Sequence, residues 1–201
     1  MRLPFALFVS ILTIAIRSLS IALLVVVVAL SAFAEEQVLG EDTLKALYSY
    51  KFALFTEWPE EKLNDGNPAL EFCIIGRNPF GQSALDSIQG KPVKDKSIHV
   101  EIFSSGVLSE ESLHHCHVAF ISSSETQRLP ALLNSLQHFP ILTISDIPGF
   151  SSSGGMITLI KSGDHIQFEI NPDAIKQAEL AISSKIIELA TLVKTSKEGR
   201  E

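Results

Sequence analysis

Residues 140–171, PILTISDIPGFSSSGGMITLIKSGDHIQFEIN, limit the fold more than any other stretch of the chain. Residues 141–145 form a short apolar, β-branched run, which suits a strand buried on both faces of a mostly parallel sheet. Residues 156–161 and 166–170 flank Ser162-Gly163-Asp164, a hairpin turn in which the glycine supplies positive φ. In the last of these strands Ile166, Phe168 and Ile170 point one way, and Gln167 and Glu169 the other. Asn171 is placed to cap a helix, and Pro172 suits its first turn. A core strand, a Gly/Ser loop, an edge hairpin and a helix start therefore follow one another, and the rest of the chain must pack around them.

Upstream, Asp42 or Thr43 is placed to cap a helix carrying Leu44, Leu47, Tyr48, Phe52 and Phe55. It should stop near Trp58, because the residue before Pro59 avoids helical geometry. Strands are expected over 70–75, 98–103 and 118–121, and helices over 80–88, 107–113 and 124–136. Beyond Asn171, residues Ile175, Ala178, Ile182, Ile186, Leu189 and Val193 recur at steps of three and four, the pattern of one long amphipathic helix. Leu180 and Ile187 add a second apolar strip, so part of that helix would touch two surfaces. Strands alternating with helices predict an α/β fold: a three-layer Rossmann-like domain with a mostly parallel sheet and an antiparallel edge hairpin.

The N-terminus has a different character. Arg2 and Arg17 are the only charged residues before Glu35, residues 19–30 contain LLVVVVAL, and Ala32-Phe33-Ala34 fits a cleavage motif. Residues 1–34 read as a secretory signal peptide, leaving 35–201 as a single domain. An uncleaved membrane anchor is the alternative, since the apolar run is long enough to span a bilayer. Without the leader, 14 basic residues stand against 23 acidic ones, a formal charge of −9. There is no basic run, which argues against nucleic acid as a partner. In an exported chain the two cysteines, Cys73 and Cys116, suggest a disulfide. Cys73 lies in the first expected strand and Cys116 just before the third, and those strands are often neighbours in doubly wound sheets. Two buried free thiols are the alternative.

Catalytic patterns are weak. His114-His115-Cys116-His117 invites a metal reading, but adjacent strand residues point to opposite faces and no second cluster completes a ligand set, so no metal is expected. Residues 76–81, GRNPFG, occupy the position of a phosphate loop without its glycine pattern or its lysine. No serine sits in a nucleophile elbow. The loop after residue 145 is the better candidate, as a partner-binding surface formed by Asp146, Pro148, Phe150, Gly154 and Gly155. In that reading Phe150 is exposed, and the glycines let the backbone bend around a contact. Trp58 and Phe55 read as core packing.

Several phrases together resemble the YfiR family. They are Tyr48-x-x-Lys51-Phe52-x-x-Phe55-x-x-Trp58-Pro59; Cys73-Ile74-Ile75-Gly76 with Asn78-Pro79-Phe80-Gly81; and Cys116-His117-Val118-Ala119-Phe120-Ile121-Ser122. The longest is Leu142-Thr143-Ile144-Ser145-Asp146 with Gly149-Phe150, Gly154-Gly155-Met156-Ile157 and Phe168-Glu169-Ile170-Asn171, and residues 181–190 also fit. The resemblance implies a small periplasmic regulatory protein, not an enzyme, that needs no cofactor. Its expected partner is a membrane-bound diguanylate cyclase, restrained through its periplasmic domain, with effects on cyclic di-GMP and biofilm formation. The alternative is a small-ligand-binding module serving a histidine kinase or a transporter. A homodimer is a further expectation of the resemblance, as is a disulfide at Cys73 and Cys116. Some members carry another cysteine pair near the loop before the hairpin; Ser151, Ser152 and Ser153 stand there in this chain, without a second bridge.

Overall fold

The computed structural model describes residues 40–64, 66–104, 110–163 and 165–196. The expected signal segment, 1–34, lies outside the described residues. In chain order the elements are α1 (Glu41–Leu54), β1 (Thr56–Glu57), α2 (Glu60–Leu63), β2 (Ala69–Ile75), α3 (Gln82–Asp86), β3 (Pro92–Val93), β4 (Lys96–Phe103) and α4 (Glu110–His115). Then come β5 (Val118–Ile121), a 3-10 turn (Ser123–Arg128), α5 (Leu129–Leu136), β6 (Leu142–Ser145), β7 (Ile157–Ser162) and β8 (His165–Ile170). The chain closes with α6 (Pro172–Gln177), β9 (Ala181–Ile182), α7 (Ser184–Ile187) and β10 (Thr191–Leu192). No helix among the described residues is long and apolar enough to cross a membrane.

Eight strands form one sheet in the order β10-β8-β7-β6-β5-β2-β4-β3. Its centre is parallel, from β4 through β2, β5 and β6 to β7, and the pairs β7–β8 and β3–β4 are antiparallel. The expected three-layer α/β fold with an edge hairpin is therefore present. Alternation along each strand separates two cores. Leu70, Phe72 and Ile74 of β2, with Val118 and Phe120 of β5, pack with Phe52 of α1 and Leu85 of α3. Ile75 and Ile121 face the other way, against Leu129, Leu132, Leu133 and Leu136. Full burial of each such side chain stabilises the fold by about 1.5–3 kcal/mol, before conformational entropy is set against it.

At the N-terminal end of the central strands a buried His117 joins two segments. Its Nδ1 accepts from the Glu71 N–H at 3.1 Å, so the neutral ring carries its proton on Nε2, which meets the Lys62 carbonyl at 3.2 Å. Trp58 is buried beside it, and its Nε1–H donates to the His117 carbonyl at 3.2 Å. Trp58 is thus a core residue, whereas Phe55 is 40% exposed and departs from the core reading.

The chain differs from expectation most clearly after Asn171. That residue caps α6 as read, its side chain accepting from the Ala174 N–H at 3.2 Å. The single long helix is not formed. Glu179 takes the left-handed conformation, φ 59°, and the Leu180 N–H donates to the Ile175 carbonyl. This is a Schellman-type stop, with Leu180 and Ile175 buried in the same cluster as its hydrophobic contact. Ala181 and Ile182 then pair with Glu57 and Thr56, which supply hydrogen bonds that a continued helix would have had to make internally. The first helix likewise ends at Leu54 instead of near Trp58, and its N-cap is Gly40 instead of Asp42 or Thr43. The helix expected over 107–113 is observed at Glu110–His115, with 105–109 outside the described residues.

Cys73 and Cys116 are joined, with Cα atoms 5.8 Å apart and a sequence separation of 43. The bond links β2 to the segment entering β5, inside the second core. On the chain-entropy account a loop of that length stabilises the fold by about 4 kcal/mol. Cys73→Ser and Cys116→Ser should therefore each lower stability by a few kcal/mol in denaturant titrations without reductant. The double variant should lose no more than either single one, because both remove the same crosslink.

Candidate functional site

In open α/β sheets ligands favour the crevice where strand order reverses, here between β2 and β5. The side chains of this chain fill it. Gly76 has φ +97°, and any Cβ there would overlap the Ser124 hydroxyl and the Glu125 side chain. The Arg77 N–H donates to Ser124 Oγ at 3.0 Å, and Glu125 is buried with a carboxylate oxygen 3.4 Å from Arg128. A carboxylate is a poor neighbour for phosphate, so this end of the sheet closes the phosphate-loop reading of 76–81. Among the described residues no group of three or more metal-ligating side chains is assembled. His114 instead packs edge-on against Phe139.

The loop between β6 and β7 is tightly built. Ser145 Oγ donates to the Ile121 carbonyl at 2.7 Å and accepts from the Ile147 N–H at 3.0 Å. The Ser151 N–H donates to Thr158 Oγ1 at 2.9 Å, and the Gly155 N–H returns to the Phe150 carbonyl at 3.0 Å. Phe150 is 0% exposed, which corrects the expectation of an exposed aromatic. It lies in the second core with Ile147 and Leu133, and its ring occupies the space a side chain at Gly155 would need. The five expected contact residues thus do not share one surface. Asp146 and Pro148 border a shallow cavity of about 380 Å³ with Glu41, Lys45 and Lys161. Gly154 borders a different cavity with Met156 and Gln177. Phe150 and Gly155 are interior. Phe150→Ala should accordingly destabilise the protein by about 3–5 kcal/mol, as a core truncation does. Urea or thermal unfolding would register that loss.

A chain of alternating charges ties this loop to α1 and the hairpin. Glu41 bridges Lys161 and Lys45, each at 2.7 Å, and Lys45 reaches Asp146 Oδ2 at 2.7 Å. Hydrogen bonds from Lys161 and then Lys45 lower the Glu41 carboxyl from 4.5 to about 2. Burial alone would lower Lys45, but the Asp146 and Glu41 carboxylates outweigh it and hold it above the ordinary lysine range. A depressed carboxyl contributes stability that is present above its unfolded pKa and lost as pH falls through the folded one. The wild type should therefore lose more of its denaturation midpoint than Glu41→Gln when pH is lowered from 4.5 to about 2.

A larger apolar concavity lies elsewhere. It is a groove of about 850 Å³ between α1, β8 and the segment from α7 to β10, walled by Tyr48, Phe52, Phe55, Phe168, Ile186 and Leu189. Phe52 and Phe168 meet edge to face with centroids 4.9 Å apart, forming its floor. Leu189 is 74% exposed. Among the described residues Lys51 and Lys185 line it and no carboxylate does, on a chain with an excess of acidic residues. One side of the groove is an open strand edge. The Asn171 N–H bonds the Met156 carbonyl and the Val193 N–H bonds the Ile170 carbonyl, so Ile170, Phe168 and Ile166 turn their backbone groups away from β7. β10 covers only Glu169 and Ile170, and among the described residues no strand pairs with the rest. Sequence reading missed this groove because a straight final helix would not have made its wall. The second apolar strip at Leu180 and Ile187 was the only hint that this segment served more than one surface.

A family model described as YfiR/HmsC-like matches residues 42–191, from the first turn of α1 to the start of β10. The match takes in the disulfide, the β6–β7 loop, the hairpin and the groove wall. The chain belongs to the YfiR/HmsC-like family.

Proposed function

We propose that this protein is an exported regulatory subunit, cleaved after Ala34, that restrains a membrane-bound signalling protein by docking onto its periplasmic domain. A diguanylate cyclase is the partner class favoured by the family, whose members are periplasmic regulators. The observation that carries the reading is the lysine-lined groove beside the open edge of β8. Exposed large apolar side chains beside unpaired backbone groups suit an extended or amphipathic segment of another protein. Lys51 and Lys185 favour a segment with an acidic end. Asp146 and Pro148 form a secondary contact beside α1, while Phe150 supports the loop from within. The protein acts by occupancy and performs no chemistry on its partner.

A second reading rests on the groove's size. At about 850 Å³ it falls in the range that holds a small organic molecule, as in a ligand-binding module serving a histidine kinase or a transporter.

Deleting the gene should raise cyclic di-GMP, and the wild-type copy should lower it again. Leu189→Asp, which places a like charge before an acidic partner at an already exposed position, should fail to lower it while being exported at normal levels. Full restoration by that variant would move the interface off the groove. Cyclic di-GMP that does not change on deletion, in cells that express the protein, would remove the cyclase and leave the ligand-binding reading.

A further inference from the structure

The groove has two chemically distinct parts. Its strand side, along the open edge of β8, offers backbone groups together with Gln167 and Thr191, and a segment of another protein can pair there. The trough beside that edge is different. Tyr48, Phe52 and Phe55 recur at steps of four and three on one face of α1, and Ile186 and Leu189, three apart, supply the other wall. The backbone of α1 is bonded within its helix, and the Phe55 carbonyl accepts from the Ser183 N–H at 2.9 Å. A peptide laid along this trough would bury amide groups with nothing to pair them, whereas a hydrocarbon chain has none to bury. Phe55 is 40% exposed and Leu189 74%, so the trough has apolar surface still to cover.

Two cations stand at this trough without a counter-ion. Lys51 extends over the Tyr48 ring, 5.5 Å from its centroid, and Lys185 lies in the first turn of α7. Neither forms an ion pair among the described residues, whereas Lys45 and Lys161 both meet Glu41. We propose that the trough binds a free fatty-acid anion, its alkyl chain over Phe52, Phe55 and Leu189 and its carboxylate drawn to the ammonium groups of Lys51 and Lys185. A cavity of about 850 Å³ is in the range that holds a molecule of this size. A cationic amphiphile of the same length would cover the same apolar surface but face two like charges. The consequence of binding rests on the docking function proposed above. An alkyl chain on Leu189 and a carboxylate at the two lysines take the contacts that an acidic segment would use, so a fatty acid displaces the partner and lifts its restraint.

The test uses the full mature chain with its disulfide intact, and sodium dodecanoate below its micelle concentration. Isothermal titration calorimetry should show saturable one-to-one binding. Octanoate, which has fewer methylenes to bury, should bind about tenfold more weakly or worse. Dodecyltrimethylammonium should show no saturable binding. Lys51→Gln combined with Lys185→Gln should weaken dodecanoate about fivefold or more, and Lys51→Arg with Lys185→Arg should retain it. Lys94→Gln, at an exposed lysine outside the groove, should bind as the wild type does. All three lysines are exposed, so circular dichroism spectra should not change. Absence of dodecanoate binding overturns the proposal, as does equal binding of the cationic amphiphile or a double glutamine variant that matches the wild type. Association with phosphatidylglycerol vesicles without binding of dodecanoate also overturns it, in favour of a membrane surface. No partner is present in these titrations. Their failure therefore leaves partner docking standing, and a failed cyclic di-GMP test leaves the fatty-acid site standing.

Discussion

Asn171 is where four parts of the chain become one structure. It is fully buried at the end of β8, and every polar group of its side chain is used. Its Oδ1 caps α6, and its Nδ2 donates both to the Ser151 carbonyl at 2.8 Å and to Thr195 Oγ1 at 2.9 Å. Its backbone N–H closes the hairpin on Met156. A carboxamide is the only side chain of this size that offers acceptor and donor groups without charge, and in a dry site a charge would be far more expensive to hold. The hairpin, the helix after it, the loop before it and the final segment depend on this one residue for their relative positions.

From that anchor the loop between β6 and β7 acquires its rigidity. Phe150 fills the second core from above, and Gly155 gives it room. The charge chain from Lys161 through Glu41 and Lys45 to Asp146 holds the start of α1 over the same loop. The segment thus joins both cores and the first helix, and it positions the groove without forming its floor.

Much of this was legible in the sequence, because strands buried on two faces must be apolar throughout and hairpins must turn on glycine. The central strands, the turn at Gly163 and the cap at Asn171 follow from such local rules. The pairing of Cys73 with Cys116 needed one further idea, that the first and third strands adjoin. Two features depended on tertiary competition and were misread. Helical spacing from Ile175 to Val193 does not reveal that Glu179 turns left-handed and that Thr56 and Glu57 offer a strand partner. Phe150 stands in a loop outside any periodic segment, where hydrophobicity alone does not separate an interior pillar from a surface contact. The groove was illegible for the same reason as the broken helix, since its wall is made by that break.

The groove draws its walls from the two ends of the folded region, α1 at the beginning and residues 185–191 at the end. Neither wall has the apolar concavity by itself. A chain whose residues 185–191 have not yet packed against α1 therefore lacks the groove, and a fragment clipped before α7 lacks it altogether. On the proposed function, unfinished or damaged copies would be silent, because only a completely folded molecule presents the groove.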